Sequence, residues 1–495
     1  GTFPRELVVA SAGSGKTYRL ASRIIELLAG GVPASQILAS TFTRKAAGEI
    51  LDRVLVRLAE AAEDPDKARK LGQDVHERLS DSAECYQLLA GLVTDLHQIN
   101  VGTLDAFFTR VARMFGQELG LRPRWTHTDV VVQAQIRTEA VLAVLEQADR
   151  SEIVEVLRMM NRGAASQRVH DDLIEKVEKI LSIQRDLDST SKDPWNQDLG
   201  VTEYLEKAEL EKEAEELGER ISIFEVPYTQ QGESDRRWLR ARDAAVSAVT
   251  ELDWTTLCGS GIGTKVLNEG AEARYYGHGI PEEFIRAFKD AFTLARISLA
   301  PEFRRESSAM GKLAGHLETA FENAQKRRGA YRFEDITHLL GGSDPTGARG
   351  DLHYRLDQQV RHILLDEFQD TSLGQWRALS PLADELLSGH LEERAGVIVA
   401  DPKQSIYGWR GGRPELPQRV GQHYGLVRDT MTSSWRSSKN VLDFVAKIFR
   451  GISNNEVMEE FDGGSAVAIS WLKDFTEVTA ERELPGYVSV HLAPG

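Results

Sequence analysis

The chain has only two cysteines in 495 residues, Cys85 and Cys258, far apart and without CxxC spacing. A disulfide framework, a zinc site and an iron–sulfur cluster each need more ligands than that. No run approaches the roughly 20 apolar residues that a membrane-spanning helix requires, so no membrane partner is expected. Positive charge is not in excess either: 60 Lys and Arg against 76 Asp and Glu give a net charge of −16. That balance argues against a uniformly basic coat for nucleic acid, but not against a few cations and aromatics confined to one groove. The start, Gly1-Thr2-Phe3-Pro4, has neither a Met nor the basic and apolar regions of a secretory signal. A processed or cut end and a cytoplasmic location are the corresponding expectations.

What is present is ordinary globular usage, 41% hydrophobic and 27% charged, in a chain too long for one core, so two or more domains are expected. An apolar run at 7–10, a Gly-rich loop, a helical pattern over Tyr18–Leu28 and an apolar stretch at 37–39 read as strand, loop, helix, strand, the opening of an α/β fold with a parallel sheet. Further strands are expected at 363–365 and 397–400, both ending in acidic residues. Between roughly 116 and 300 the texture changes to long, charged, apolar-periodic helices, as in Glu203–Arg220, whose Glu and Lys run is most simply a solvated face. This block reads as a helical domain inserted into the α/β one. Gly341–Gly350, with Pro345 inside, reads as a loop, and Tyr487–Leu492 is strand-like.

The segment Ala10-Ser11-Ala12-Gly13-Ser14-Gly15-Lys16-Thr17 follows a strand and opens a helix, the context of a phosphate-binding P-loop. Backbone amides of Ala12, Gly13, Ser14 and Gly15 can curl round phosphates, Lys16 can reach the β- and γ-phosphates of ATP, and the Thr17 hydroxyl can ligate Mg²⁺. The first position is Ala10 where the strict pattern has Gly, so a chance Gly-rich turn is the competing reading. About 350 residues on, an apolar strand ends in Asp366-Glu367. Asp366 is expected to hold Mg²⁺ and Glu367 to orient and deprotonate a water, the complementary half of the same chemistry. An acidic strand end facing solvent is the alternative.

Asp366-Glu367-Phe368-Gln369-Asp370-Thr371 resembles motif II of the UvrD-like helicases of superfamily 1, and other segments follow in the family's order. Thr41–Ala47 is similar to motif Ia, and Gly102–Phe108 to the next DNA-contacting motif. Phe321–Asp335, with Gly329, Phe333 and Asp335, resembles the helix that leads back towards motif II. Asp401–Arg410 resembles motif III, and Ser434-Trp435-Arg436-Ser437 motif IV. The P-loop and Thr103–Phe108 lean towards the exonuclease V beta-subunit (RecB/AddA) branch.

The resemblance implies an α/β fold: a RecA-like parallel-sheet domain at 1–115 and 301–430, an inserted all-helical domain at 116–300, and the start of a second RecA-like domain at 431–495. It implies that Gln404 senses the γ-phosphate, that Arg436 neutralises charge developing there, and that Tyr18 and Trp435 lie against adenine. Phe42, Tyr407 and Trp409, with Thr103 and Arg410, would hold successive bases of single-stranded DNA. Core packing is the competing use for Phe42 and Phe107.

Three departures stand out. No Gln precedes the P-loop, Asp105 stands where many relatives carry His, and motifs V and VI and any nuclease motif are absent from these residues. The expectation is the N-terminal portion of a 3′-to-5′ DNA helicase or translocase acting in repair or recombination, low in activity alone, with a candidate partner of nuclease or helicase type. The alternative is a non-catalytic ATP- and DNA-binding module completed by a partner; a P-loop kinase is disfavoured by Asp-Glu-Phe-Gln.

Overall fold

The computed structural model describes residues 3–147, 179–181, 183–184, 195, 199–201, 204–228, 232–342, 360–388, 394–452, 455–459 and 464–491. The chain divides into two compact units, one of residues 1–134 and 325–495, the other of residues 135–324. The divisions expected from the sequence fall at 115/116 and 300/301.

The first unit is α/β. Six strands form one sheet: β1 Arg5–Ala10, β2 Ile37–Thr41, β3 Asn100–Thr103, β4 His362–Leu365, β5 Gly396–Ala400 and β6 Val427–Met431. Their order is β6-β1-β5-β4-β2-β3, and every pairing is parallel. Register sets Leu7 opposite Ile398, Val9 opposite Thr430, Leu364 opposite Val397 and Ala39 opposite Leu364.

Alternate residues of β1, β2, β4 and β5 feed two cores, which is why these four strands read as continuous apolar runs. Leu7, Leu38, Ile363, Leu365 and Ile398 share one core with Phe107, Phe108 and Val111 of the helix Leu104–Met114 and with Leu379 and Leu382 of the helix Leu373–Leu387. Val8, Ile37, Leu364, Val397 and Val399 share the other with Leu20, Ile24 and Leu28 of Lys16–Ala29 and with Ile50, Val54 and Leu58 of Arg44–Glu63. Each such fully buried side chain contributes about 1.5–3 kcal/mol against exposure. Helix starts are fixed locally: Thr43 and Thr103 accept from the amides of Ala46 and Ala106 at 3.1 and 3.2 Å, and Ser372 forms a capping box with Gln375. Gly329, at φ +63°, separates the helix Glu282–Arg328 from the strand pair formed by Ala330–Tyr331 with Thr126–His127.

The second unit is built of helices, among them Lys207–Ser222, Arg236–Thr250, Trp254–Gly259 and Gly261–Glu269, packed round Trp238, Phe284 and Phe288. One short hairpin, Arg274–Tyr275 with His278–Gly279, accompanies them. Most of the loop expected at 341–350 lies outside the described residues. The strand-like reading of Tyr487–Leu492 is corrected: 487–491 join no ladder and are largely exposed, because no neighbouring strand offers them hydrogen-bond partners among the described residues.

Candidate functional site

The sheet order sets the C-terminal ends of β1, β5 and β4 side by side, and three loops leave from there. The loop after β1 turns through Gly13 at φ +75° and Gly15 at φ +94°, conformations that cost an L residue about 1–2 kcal/mol. Ser14 donates its amide to Ser11 O at 3.2 Å, closing the turn. The helix Lys16–Ala29 then begins on Gly15 with no side-chain cap, so its first amides are left for an anion. Ser14 Oγ is buried without a hydrogen-bond partner in the same loop. A phosphate group fits this donor set.

Lys16 Nζ donates to both carboxylate oxygens of Glu367, at 3.0 and 3.2 Å. Glu367 stands at φ +50°, an uncommon backbone state for a side-chain-bearing residue, just past the end of β4. Gln369, fully buried, donates from Nε2 to Glu367 at 2.7 Å and accepts from the Asp401 amide at 2.9 Å. The Asp366 carboxyl accepts from the Glu367 amide at 3.0 Å and is pushed up to about 6, first by burial and then by the charge of Glu367, with Lys16 opposing. A carboxylate so displaced gains from a cation. Among the described residues no three His, Cys, Asp or Glu gather to hold a metal; Asp366 and the Thr17 hydroxyl, on the first turn of Lys16–Ala29, are the oxygens that could hold a divalent cation together with a substrate's.

The turn Pro402–Gln404 follows β5. Its Gln404 side chain donates to Asp401, and its Lys403 Nζ donates to Ser11 Oγ at 3.1 Å. The segment Ser434–Arg436 lies across the first loop: Trp435 donates its amide to Gly13 O at 2.9 Å, and a Cβ on Gly13 would stand 2.8 Å from Arg436 Cβ. Arg436 and half of Trp435 remain exposed. Tyr18 carries the Arg57 guanidinium 4.1 Å over its ring, and Trp435 that of Arg482 at 5.6 Å; no ring contact joins the two aromatics among the described residues.

Beyond Gln404 the same loop carries the aromatic set. Phe42 stacks on Tyr407 with ring centroids 4.2 Å apart, Tyr407 lies 6.3 Å from Trp409, and Arg410 sits 4.9 Å over the Trp409 ring. Trp409 is 76% exposed, an unusual outlay of apolar surface. Phe107, by contrast, is buried in the core. A cavity of about 600 Å³ adjoins this set and is lined by Phe42, Thr103, Arg410, Asp366 and Glu367 together with Asp105, His127 and Phe333.

Several groups there have no role that the sequence alone assigns. His127 stacks on Phe333 at 4.1 Å, and Gln375 donates to Asp105 at 2.8 Å. Burial holds Asp105 above the usual carboxylate range, opposed by Gln375, and holds His127 below the usual imidazole value. Phe333, Gln369, Asp401 and Lys403 lie inside segments whose motif character is visible; His127 and Gln375 carry no signal in the sequence.

The fold and these loops define a P-loop α/β protein, and comparison gives its family. A family model described as the UvrD/REP helicase N-terminal domain matches residues 4–425, and the chain belongs to that family. Its curated relatives include the A subunit of the ATP-dependent helicase/nuclease of Streptococcus suis (strain 98HAH33), 22% identical in a gapped alignment of 504 positions that covers 92% of this chain and 38% of the relative. The proteins of that name from Streptococcus pneumoniae (strain Hungary19A-6), 25% identical over 92% of the chain and 38% of the relative, and Listeria monocytogenes serovar 1/2a, 24% identical over 97% and 40%, are similar in the same way. This is the branch towards which the P-loop and Thr103–Phe108 lean. The chain spans about two fifths of the length of these relatives, and no described helix is long and apolar enough to cross a membrane.

Proposed function

We propose that this chain is the ATP- and single-stranded-DNA-binding part of a DNA-stimulated ATPase, a 3′-to-5′ translocase or helicase acting in cytoplasmic DNA repair or recombination. Residues 1–115 and 301–430 would form its first motor domain, 116–300 the insertion and 431–495 the start of a second. One observation carries the reading: the stretch from Asp401 to Arg410 touches the phosphate loop through Lys403, holds Gln404, and three residues later stacks Tyr407 on Phe42. Nucleotide chemistry and base stacking share one short loop.

In this reading Lys16 exchanges Glu367 for the β- and γ-phosphates of ATP, and Glu367, released, accepts a proton from the attacking water. Thr17 and Asp366 hold magnesium, whose charge when bound offsets that of the phosphates. Gln404 senses the terminal phosphate and Arg436 neutralises charge developing on it, while Tyr18 and Trp435 present flat faces to adenine. Phe42, Tyr407 and Trp409 accept bases by stacking that tolerates any sequence, with Thr103 and Arg410 beside them. The relatives are subunits by name, which supports a partner chain of nuclease or helicase type.

Phosphate release from ATP, with and without single-stranded DNA, tests the proposal on the chain alone and extended through a second RecA-like domain, with Glu367→Gln alongside each. DNA-stimulated release in the extended form, abolished by Glu367→Gln, is expected. Binding of both ligands without release in either form would replace the motor with a non-catalytic binding module completed by a partner.

A further inference from the structure

Lys16 is already charge-paired in this site, and Lys403 is not. Among the described residues no carboxylate lies within ion-pair distance of Lys403 Nζ; its neighbours are the Ser11 hydroxyl at 3.1 Å and the face of Phe475, 5.7 Å to the ring centroid. Its backbone is fixed, because the Lys403 amide donates at 3.2 Å to Oδ1 of Asp401, which caps the turn that also carries Gln404. Ser11 is buried and opens the phosphate loop, so the ammonium is held at the rim of that loop by a neutral group. An ammonium with three donors can keep the hydroxyl and still offer two hydrogens to an anion.

Topology says which anion oxygen it can meet. The turn leaves β5, which lies between β1 and β4, so Lys403 enters between the phosphate loop after β1 and the Asp366–Glu367 pair after β4. Phosphates lying on the amides at the start of Lys16–Ala29 belong to the loop itself. The end of a phosphate chain extending from the loop towards the carboxylates would be the part within reach of this turn.

We propose that Lys403 is a second lysine for the terminal phosphate of a nucleoside triphosphate, acting from the motif III turn across Ser11 from Lys16. The proposal rests on the nucleotide reading above and deepens it. Lys403 makes the site distinguish triphosphate from diphosphate, and it ties that distinction to the loop that carries Tyr407 and Trp409. Ser11 is its positioning residue.

Calorimetric titration of the chain with Mg²⁺–ADP and Mg²⁺–ATPγS tests this. Lys403→Ala is expected to weaken ATPγS about tenfold, the loss of one charge-assisted hydrogen bond, and to leave ADP within about twofold. Lys403→Arg should restore most of the ATPγS affinity, and Lys212→Ala, an exposed lysine on the helix Lys207–Ser222, should move neither ligand. Because Lys403 is exposed apart from these contacts, thermal midpoints of the variants should match the parent. Equal losses for both nucleotides, or an unchanged ratio of the two affinities, overturns the role of Lys403. If Lys16→Ala also leaves both affinities untouched, the nucleotide reading falls and the Lys403 role with it; if Lys16→Ala abolishes both while Lys403→Ala leaves the ratio unchanged, only the Lys403 role is lost.

Discussion

Lys16 and Glu367, 351 residues apart in sequence, meet at 3.0 Å where the ends of β1 and β4 open. The lysine's charge is neutralised by the carboxylate that would act as the base, so in the proposed function an incoming phosphate would compete with Glu367 for Lys16. Replacing Glu367 by Gln weakens that competitor and removes the base together. Calorimetry should show ATPγS bound several-fold more tightly by Glu367→Gln, while phosphate release in the extended form falls by about 10²–10⁴, the usual contribution of a positioned base. Weaker nucleotide binding in this variant would contradict the competition.

Gly13 is held by its φ of +75° and by the closeness of Arg436 Cβ and Ser434 Oγ, at 2.8 and 3.0 Å from where a Cβ would be. Gly13→Ala should cost about 1–2 kcal/mol from backbone strain alone and displace Ser434–Arg436. A lowered thermal midpoint, with a smaller upward shift on adding ADP than the parent shows, is the expected readout.

The raised Asp366 carboxyl makes a signed pH prediction. Its folded value, about 6, lies above the ordinary value near 3.9, so the folded state binds the proton more tightly. The associated stability is fully present below about pH 4 and is lost as pH rises through 6. Asp366→Asn should therefore be more stable than the parent at pH 7.5, by on the order of 2 kcal/mol, with the difference closing towards pH 4. Urea unfolding of both proteins at pH 4.5, 6 and 7.5 measures it.

Trp409 is 76% exposed and Tyr407 half-buried against Phe42. Trp409→Ala should leave the thermal midpoint unchanged and weaken binding of a single-stranded oligonucleotide by about 1–3 kcal/mol, read by fluorescence anisotropy at fixed salt. Tyr407→Ala should weaken binding as well and lower the midpoint, because it also strips Phe42 of its stacking partner. Unchanged affinity in both variants would remove this loop from the DNA interface.

Four of the six strands, β1, β2, β4 and β5, are legible in the sequence because each is an apolar run, as 7–10 and 363–365 show; β3, Asn-Val-Gly-Thr, and β6, Val-Arg-Asp-Thr-Met, mix polar residues into the run and carry no such signal. The phosphate loop is legible because its glycines and Lys16 fall between such a strand and a helix. What joins those segments is not. That Glu367 faces Lys16, that Gln369 bridges Glu367 to Asp401, and that Lys403 reaches Ser11 follow from the order β1-β5-β4, which no local pattern encodes. Asp105 and Gln375 are 270 residues apart, and nothing in either neighbourhood names the other. At 487–491 an alternating pattern suggests a strand, but a strand needs a ladder partner and these residues have none among those described.

Strand β1 is flanked by β5 and β6, whose residues begin at Gly396 and Val427. A ribosome adding roughly 5–20 residues per second therefore leaves the apolar run Leu7–Ala10 without either sheet neighbour for on the order of 20–90 s. Closing contacts this remote in sequence is slow, and an unpaired apolar strand invites pairing with other chains. Synthesis of this protein thus passes through a long interval in which β1 must be kept from the wrong partners.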